Sequence, residues 1–281
     1  MSVCDKAADA SCKGQCLRQG ALAFGVGGAV QERRTVLVTG GARRIGRAIC
    51  ETLAVKGWRV IVHSRRPDDP DAEALAARLQ GLSLAADLSE PLAAARLFQQ
   101  ACELAPDICA IVNNAAVFSP AAELPPDAVA ALRRVNAEAP EKLTTLLGLR
   151  LMEHPPFRGA VVNLLDCRML PPPPQAADTP YLASKRMLHT SMLKSAGLFA
   201  DCLRVNAVAP GPVLAPSAPE NRIRGGDVLL PERPAPRDVA EAVAFLLDAR
   251  SVTGQTLAVD SGQALLLSQN NFQETGDPAR R

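Results

Sequence analysis

The chain has 281 residues, of which 48% are apolar and only 3% aromatic, and its formal net charge is +2. This length fits one large α/β domain or two small ones. The near-neutral charge gives no indication of a nucleic-acid surface, and no apolar run approaches the roughly 20 residues of a membrane-spanning helix. No secretory signature is evident, so we expect a cytoplasmic protein with buried thiols and no metal site.

The chain divides into a patterned central part and two ends. We interpret residues 1–33 as a flexible extension, residues 34–267 as the folded domain and residues 268–281 as a tail. Within the domain, short β-rich runs alternate with helical stretches of about ten residues or more. This alternation predicts a single α/β domain of Rossmann type, a doubly wound parallel sheet of about seven strands with helices on both faces.

The predicted elements follow one another in strict alternation along the domain. Strands are expected at residues 35–39, 58–63, 82–86, 108–113, 160–165, 202–208 and 256–259. Helices are expected at residues 45–56, 71–80, 91–104, 127–152 (interrupted near Pro140), 179–199 and 236–248. The proline-rich segments 171–174 and 210–236 are predicted to be loops at the mouth of a site.

A glycine-rich turn follows the first predicted strand and contains Gly40, Gly41 and Gly46. Glycines at this place let the backbone approach a pyrophosphate, which binds at the N-terminus of the next helix. The usual dinucleotide-binding pattern has a further glycine where this chain has Arg44. We expect Arg44 to point into the same region and to bind a phosphate or an anionic edge of the substrate.

The second predicted strand ends in His63, Ser64, Arg65 and Arg66, with no acidic residue before Asp68. Enzymes that use NAD commonly have an acidic residue here, which binds the ribose hydroxyls. The fork of an arginine side chain instead matches the oxygens of a 2′-phosphate. The sequence therefore predicts NADPH/NADP+ as the cofactor, and two solvated surface arginines are the alternative.

Two further side chains are expected beside this cofactor. Arg43, in the glycine turn, lies on the same side as the arginine pair. Asp87 follows the third predicted strand, where it is expected near the adenine ring. Asp87 is equally well explained as the cap of a helical segment beginning at Ser89.

Tyr181 and Lys185 are four residues apart in a predicted helix, so both lie on one face. A nearby ammonium group favours the phenolate, which lowers the pKa of a tyrosine from about 10 toward neutrality. Such a tyrosine donates or accepts a proton in carbonyl or imine chemistry. The pair is a strong signal here because it follows the glycine turn and the segment Asn113-Asn114-Ala115-Ala116 in the expected order.

With these motifs the chain resembles the short-chain dehydrogenase/reductase family over about residues 35–263. The resemblance implies that Asn136 holds a water that links Lys185 to solvent, and that Lys185 also binds the nicotinamide ribose. It implies a homotetramer with a small-molecule substrate and with neither a nucleic-acid nor a membrane partner. Further cofactor contacts that it implies are Ile45, Leu88, Asn114, Ala115, Ala116, Pro210, Gly211 and Val213.

One position departs from the common family pattern, because the fifth predicted strand is followed by Asp166 instead of the usual serine. With an aspartate at this position, the chain resembles the pteridine reductase branch of the family, which includes the dihydromonapterin reductases. The segment Arg44-Ile45-Gly46, the aromatic Phe118 and the turn His63–Arg66 resemble the same branch. An ionised aspartate accepts hydrogen bonds and does not donate them, so it suits a substrate with N–H groups.

The sequence therefore predicts an NADPH-dependent reductase that transfers hydride to a dihydropterin, dihydromonapterin or dihydrofolate-like ring. The predicted catalytic residues are Tyr181, Lys185, Asp166 and Asn136, and the predicted substrate contacts are Arg44, Phe118, Asp166 and Tyr181. One alternative is a ketone or 3-oxoacyl reductase that tolerates Asp166, with Phe118 in ordinary packing. Another is a non-catalytic NADP-binding sensor, against which the presence of Asn136, Tyr181 and Lys185 argues.

Overall fold

The structure is a computed structural model that describes residues 34–153, 158–170, 179–213 and 228–274, with the backbone alone for residues 269–274. The predicted extension at residues 1–33, with its three cysteines, lies outside the described residues, as do the prolines at 171–174 and part of the loop at 210–236. Of the described helices, none is long and apolar enough to cross a membrane.

Seven parallel strands form one sheet in the order β3-β2-β1-β4-β5-β6-β7. The strands are β1 Arg34–Val38, β2 Trp58–Ser64, β3 Leu82–Ala85, β4 Ile108–Asn113, β5 Gly159–Leu164, β6 Leu203–Pro210 and β7 Thr256–Val259. This arrangement confirms the predicted doubly wound sheet, and the strand bounds differ from the predicted ones by at most two residues.

Helices connect the strands. They are α1 Arg44–Val55, α2 Pro70–Arg78, α3 Ala93–Leu104, α4 Pro126–Arg133, α5 Ala139–Glu153, α6 Pro180–Leu198, α7 Pro236–Asp248 and α8 Gln263–Glu274. The sequence analysis missed α8, which continues beyond residue 267, where the domain was expected to end. A 3₁₀ turn, Cys167–Met169, follows β5 and was also not predicted.

The two faces of the sheet carry separate apolar cores, because successive strand residues point to opposite faces. Leu37 and Ile61 belong to a core that also contains Leu143 of α5. Val36 and Val60, one position away, belong to a core on the other face that includes residues of α1 and α7. Burial on both faces explains why the strands are apolar throughout instead of alternating with polar residues.

The predicted interruption near Pro140 is a single π turn, Arg134–Glu138, between α4 and α5. Proline has no backbone N–H, so Pro140 cannot donate to the carbonyl four residues earlier. The N–H of Ala139 donates instead to the carbonyl of Arg134, five residues earlier. The helical path is therefore continuous, and its widened turn contains the buried Asn136.

The site forms where the chain leaves the sheet in opposite directions from two neighbouring strands. β1 and β4 are adjacent, and their connections run to β2 on one side and to β5 on the other. A crevice at the carboxyl ends of the strands results, which is the usual ligand-binding place in open α/β sheets.

Gly46 permits the first turn of α1 to pack against the glycine turn. A Cβ atom added to Gly46 would overlap with the carbonyl oxygen of Gly40 and would lie 2.7 Å from Nδ2 of Asn114. Gly40 itself has a φ of 62°, a conformation that glycine adopts without strain. The close approach of α1 to the ends of β1 and β4 therefore requires glycine at both positions.

We predict that Gly46→Ala destabilises the protein by about 1–3 kcal/mol, because backbone atoms must move to admit the methyl group. Gly197→Ala is the matched control, since Gly197 lies in α6 with nothing within 4 Å of an added Cβ. The control is expected to be neutral or stabilising by about 0.4–1 kcal/mol. Urea unfolding measures both values, and a Gly46→Ala protein as stable as the wild type would contradict the packing described.

Candidate active site

The glycine turn is held in place by hydrogen bonds from the end of β4. Thr39 Oγ1 accepts from the backbone N–H groups of Asn114 and Ala115, both at 3.0 Å. The side-chain amide of Asn114 donates to the carbonyls of Thr39 and Gly40, both at 2.9 Å. The predicted cofactor contact Asn114 therefore fixes the turn, and Thr39 is a positioning residue that the sequence analysis did not select.

The N-terminus of α1 fits an anionic group. Its cap residue, Arg43, makes no side-chain capping bond, and the first turn contains no acidic residue. The first N–H groups of such a helix lack partners within the helix and carry partial positive charge. Arg44 has a φ of 52°, in the left-handed region, and its exposed side chain makes no ion pair with any residue that the structure describes.

Three arginines surround a cavity of about 480 Å³ beside this helix end, with Asp68 and Asp69. Arg43 pairs with Asp69 and Asp71, and Arg65 pairs with Asp87 at 2.9 Å. Arg66 has no carboxylate partner among the described residues. From the sequence, these arginines were expected to be free to bind a phosphate. In the structure, two of the three already pair with acidic side chains that come near them only when the chain folds.

Asp87 accepts from the backbone N–H of Ser89 at 3.0 Å and from its hydroxyl at 2.6 Å. Asp87 thus stabilises a turn and pairs with Arg65, but it does not cap a helix, because α3 begins only at Ala93 with Leu92 as its N-cap residue. The side chain of Leu88 is only 5% exposed and belongs to the core, so the predicted Leu88 contact involves the backbone alone. The Ser64 hydroxyl donates to the carbonyl of Arg66 and shapes the turn after β2.

His63 is buried, and its ring joins two backbone segments. Its Nδ1 accepts from the N–H of Gly40 at 3.1 Å, and its Nε2 donates to the carbonyl of Ala86 at 3.0 Å. Burial lowers the pKa of His63 to about 4, so the ring is neutral at physiological pH. His63 therefore positions the glycine turn and presents no charge to a cofactor.

The remaining predicted cofactor contacts lie at the same edge of the sheet. Gly211 donates its N–H to the carbonyl of Val259, and a Cβ added there would lie 2.7 Å from Cα of Asp260. Ile45 and Val213 are half-buried against the core that lies beneath α1 and α7. The other predicted contacts on this edge are Ala115 and Ala116 after β4, and Pro210 at the end of β6.

Tyr181 and Asp166 are in direct contact at the end of β5. The Tyr181 hydroxyl donates to Oδ2 of Asp166 at 3.2 Å. Thr179 caps the N-terminus of α6, which fixes Tyr181 in the first turn of that helix. The ring of Phe118 meets that of Tyr181 edge to face, with 5.0 Å between centroids, and Phe118 is 59% exposed.

Lys185 lies one helical turn from Tyr181 and is buried. Its Nζ donates to the carbonyl of Leu164 at 2.8 Å and is 5.7 Å from the centroid of the Tyr181 ring. Burial lowers the pKa of Lys185 to about 8. Near neutral pH the ammonium form thus predominates, but it loses its proton more easily than an exposed lysine does.

The lowered pKa that the sequence predicted for Tyr181 is wrong in this structure. Burial raises the pKa of Tyr181 well above its ordinary value, and the negative charge of Asp166 raises it further. The spacing to Lys185 was correct, but neither the burial nor the distance to Asp166 can be read from that spacing. Tyr181 is therefore a neutral phenol that holds its proton.

Arg168 is a site residue that the sequence analysis missed. Its Nε and Nη2 donate to the two oxygens of Asp166 at 2.9 and 2.7 Å. Its guanidinium lies 5.8 Å from the centroid of Phe118 and 5.7 Å from that of Tyr181. A basic residue two positions after the aspartate was the available signal, but the 3₁₀ turn that brings the side chain back was not predicted.

Asn136 ties the loop that carries Phe118 to α6. Its Oδ1 accepts from the N–H of Val117 at 2.8 Å, and its Nδ2 donates to the Val117 carbonyl and to Ser184 Oγ. Ser184 in turn donates to the carbonyl of Tyr181. The side chain therefore positions both aromatic rings of the site, while the water relay predicted for Asn136 stays a prediction.

Comparison with known proteins finds relatives along nearly the whole described domain. A family model described as enoyl-(acyl carrier protein) reductase matches residues 40–264. Granaticin polyketide synthase putative ketoacyl reductase 2 of Streptomyces violaceoruber is 32% identical over 84% of this chain and 98% of its own length. Carbonyl reductase family member 4 of Danio rerio is 31% identical over 83% of this chain and 99% of its own.

A solved structure is similar in both fold and sequence. FolM alternative dihydrofolate reductase 1 from Brucella canis, complexed with NADP, superposes with a TM-score of 0.73 at 34% identity. The superposition covers 82% of this chain and 94% of that chain. Together with the sheet order and the Tyr181–Lys185 pair on α6, these matches establish that the chain belongs to the short-chain dehydrogenase/reductase family of oxidoreductases.

Proposed function

We propose that this protein is an NADPH-dependent reductase of a pterin-type ring, such as a dihydropterin, dihydromonapterin or dihydrofolate-like substrate. The observation that carries the proposal is the contact between Asp166 and Tyr181 beside the exposed ring of Phe118. These three side chains place a proton donor, Tyr181, next to a hydrogen-bond acceptor, Asp166, and an aromatic face, Phe118. The NADP-bound structure that is 34% identical, named an alternative dihydrofolate reductase, supports the same substrate class.

The residues at the carboxyl edge of the sheet fit NADPH. The uncapped N-terminus of α1, with Arg43 and Arg44, suits the pyrophosphate. Arg66, which has no carboxylate partner among the described residues, suits the 2′-phosphate, and Arg65 joins it if it exchanges Asp87 for the phosphate. Bound NADPH supplies the hydride, and the chain supplies the proton and the orientation of the substrate.

Tyr181 is the group that delivers the proton. Its raised pKa keeps the hydroxyl protonated, so it can give a proton to a ring nitrogen whose basicity rises as the ring is reduced. The resulting phenolate is stabilised by the ammonium of Lys185 one helical turn away. Asp166 accepts from the substrate's N–H groups, a task that a serine hydroxyl performs less well because it carries no charge.

The exposed ring of Phe118 supplies a face for a flat substrate. An offset ring pair contributes roughly 0.5–1.5 kcal/mol beyond the area that it buries. Asn136 holds the backbone of the neighbouring Val117 through two hydrogen bonds, so the position of this face is fixed before the substrate arrives. An aliphatic ketone gains little from such a face, and a heteroaromatic ring gains most.

Reduction of a ketone or 3-oxoacyl thioester is the second candidate, and the relative named as a ketoacyl reductase favours it. In that reading the Tyr181 hydroxyl alone binds the substrate oxygen. The carboxylate of Asp166, 3.2 Å from that hydroxyl, weighs against it because a negative charge there opposes the developing alkoxide.

NADPH oxidation, followed by absorbance with dihydropterins, dihydrofolate, quinones and 3-oxoacyl thioesters, separates the two candidates. We expect turnover with a dihydropterin, and we expect Asp166→Ser to lower its kcat/KM about ten- to a hundredfold, as for loss of a charged hydrogen bond. The same variant should retain or gain activity on simple ketones. Ready reduction of 3-oxoacyl thioesters with no pterin reduced would replace the pterin assignment by the ketone assignment.

Cofactor choice is tested by Arg66→Ala. Losing one charge-assisted phosphate contact is expected to weaken NADPH about ten- to a hundredfold and to leave NADH nearly unchanged. Fluorescence titration of each nucleotide gives both dissociation constants. Arg78→Ala is the control, because Arg78 is an exposed arginine of α2 that pairs with Glu51 away from the cavity. Equal wild-type affinities for NADPH and NADH would refute the assignment of the 2′-phosphate.

A further inference from the structure

Every acceptor position of Asp166 is already in use. Its Oδ1 accepts from the backbone N–H of Arg168 at 3.0 Å and from the Arg168 Nε at 2.9 Å. Its Oδ2 accepts from the Arg168 Nη2 at 2.7 Å and from the Tyr181 hydroxyl at 3.2 Å. A carboxylate has about four lone-pair sites, so no substrate N–H can reach Asp166 until one of these donors leaves.

The donor that is free to leave is the Arg168 side chain. The Tyr181 hydroxyl is held by a buried helix, and the Arg168 N–H is part of the 3₁₀ turn. The Arg168 side chain is 40% exposed, whereas that of Asp166 is 14% exposed. Because the pair is bidentate and Asp166 is largely shielded from solvent, the guanidinium leaves readily only when an incoming ligand replaces both of its hydrogen bonds.

The Arg168 guanidinium makes the kinds of contact that the N–H edge of a pterin could make at Asp166. It is a planar N–C–N group that donates two hydrogen bonds to one carboxylate. It also lies against the rings of Phe118 and Tyr181, at 5.8 and 5.7 Å from their centroids. The aminopyrimidine edge of a pterin is likewise a planar N–C–N group with N–H donors, attached to a flat ring that stacks on aromatic side chains.

We propose that Arg168 determines substrate specificity by occupying the subsite for the N–H edge of the ring, from which a pterin must displace it. The inference rests on the proposed function and adds the selection step. A ligand with two N–H donors replaces both bonds that Asp166 loses, whereas a simple ketone replaces neither. Arg168 therefore discriminates against substrates without such an edge, at the expense of weaker pterin binding.

Arg168→Met tests this, because methionine retains an unbranched apolar side chain and removes the guanidinium. We expect KM for a dihydropterin to fall about threefold to tenfold, the upper value corresponding to about 1.4 kcal/mol. The Kd of an oxidised pterin for the enzyme with NADP+, measured by pterin fluorescence, should fall in parallel. Arg168→Lys, which retains the charge without the planar fork, should give intermediate values.

Two further measurements separate this role from a merely structural one. The positive charge of Arg168 lowers the pKa of Tyr181, so its removal should shift the pH profile of tyrosinate absorbance, which reports the single tyrosine of the chain, to higher pH. Arg34→Met is the control, since the Arg34 side chain is about as exposed as that of Arg168 and pairs with Asp248, a more exposed carboxylate, at the start of β1 at the opposite edge of the sheet. Arg34→Met should change neither the KM for a dihydropterin nor this pH profile.

The outcomes distinguish this inference from the function on which it rests. If the wild type reduces dihydropterins but Arg168→Met leaves KM and Kd unchanged or raises them, Arg168 is not a competitor and the inference is wrong. If no form of the enzyme binds or reduces a pterin, both proposals fall together. Arg168→Gln is used in place of the methionine variant if that protein loses cooperative melting; because its amide retains a donor for Asp166, a smaller fall in KM and Kd is expected.

Discussion

The hydrogen bond between the Tyr181 hydroxyl and the Asp166 carboxylate is the interaction on which the rest of the site depends. A negative charge with little exposure must be compensated, and Arg168 provides the compensation through both oxygens of Asp166. Burial raises the pKa of Tyr181 and the charge of Asp166 raises it further, so the hydroxyl holds its proton at rest. With serine in place of Asp166, Arg168 would lose its partner, and only burial would keep the pKa of Tyr181 raised.

The fold contributes the rigid frame around this interaction. The end of β5 carries Asp166, the first turn of α6 carries Tyr181, and the π turn carries Asn136, which joins α6 to the loop before Phe118. Lys185 is anchored on the carbonyl at the end of β5. These side chains are therefore set by secondary structure or by a hydrogen bond, whereas Phe118 and Arg168 reach the site as partly exposed side chains.

The sequence was sufficient for the architecture because buried parallel strands and amphipathic helices leave a periodic apolar pattern. It also located the glycine turn, Asp166 and the Tyr181–Lys185 pair, which are local motifs. The sequence did not reveal those features of the site that depend on distances between separate segments. The partners of Arg43 and Arg65, the burial of Tyr181 and the bond from Arg168 all arise only when separate turns meet. Helix α8 was missed because its second half, residues 268–274, is mostly polar and is typical of a tail.

Burial and the charge of Asp166 together keep Tyr181 protonated, and this can be tested directly because Tyr181 is the single tyrosine of the chain. Tyrosinate absorbance in the near ultraviolet, followed against pH in the folded protein, reports that one hydroxyl. No ionisation is expected until the pH is above the ordinary tyrosine value of about 10, and a lower midpoint is expected in Asp166→Asn. A wild-type protein in which Tyr181 ionises near neutral pH would contradict it.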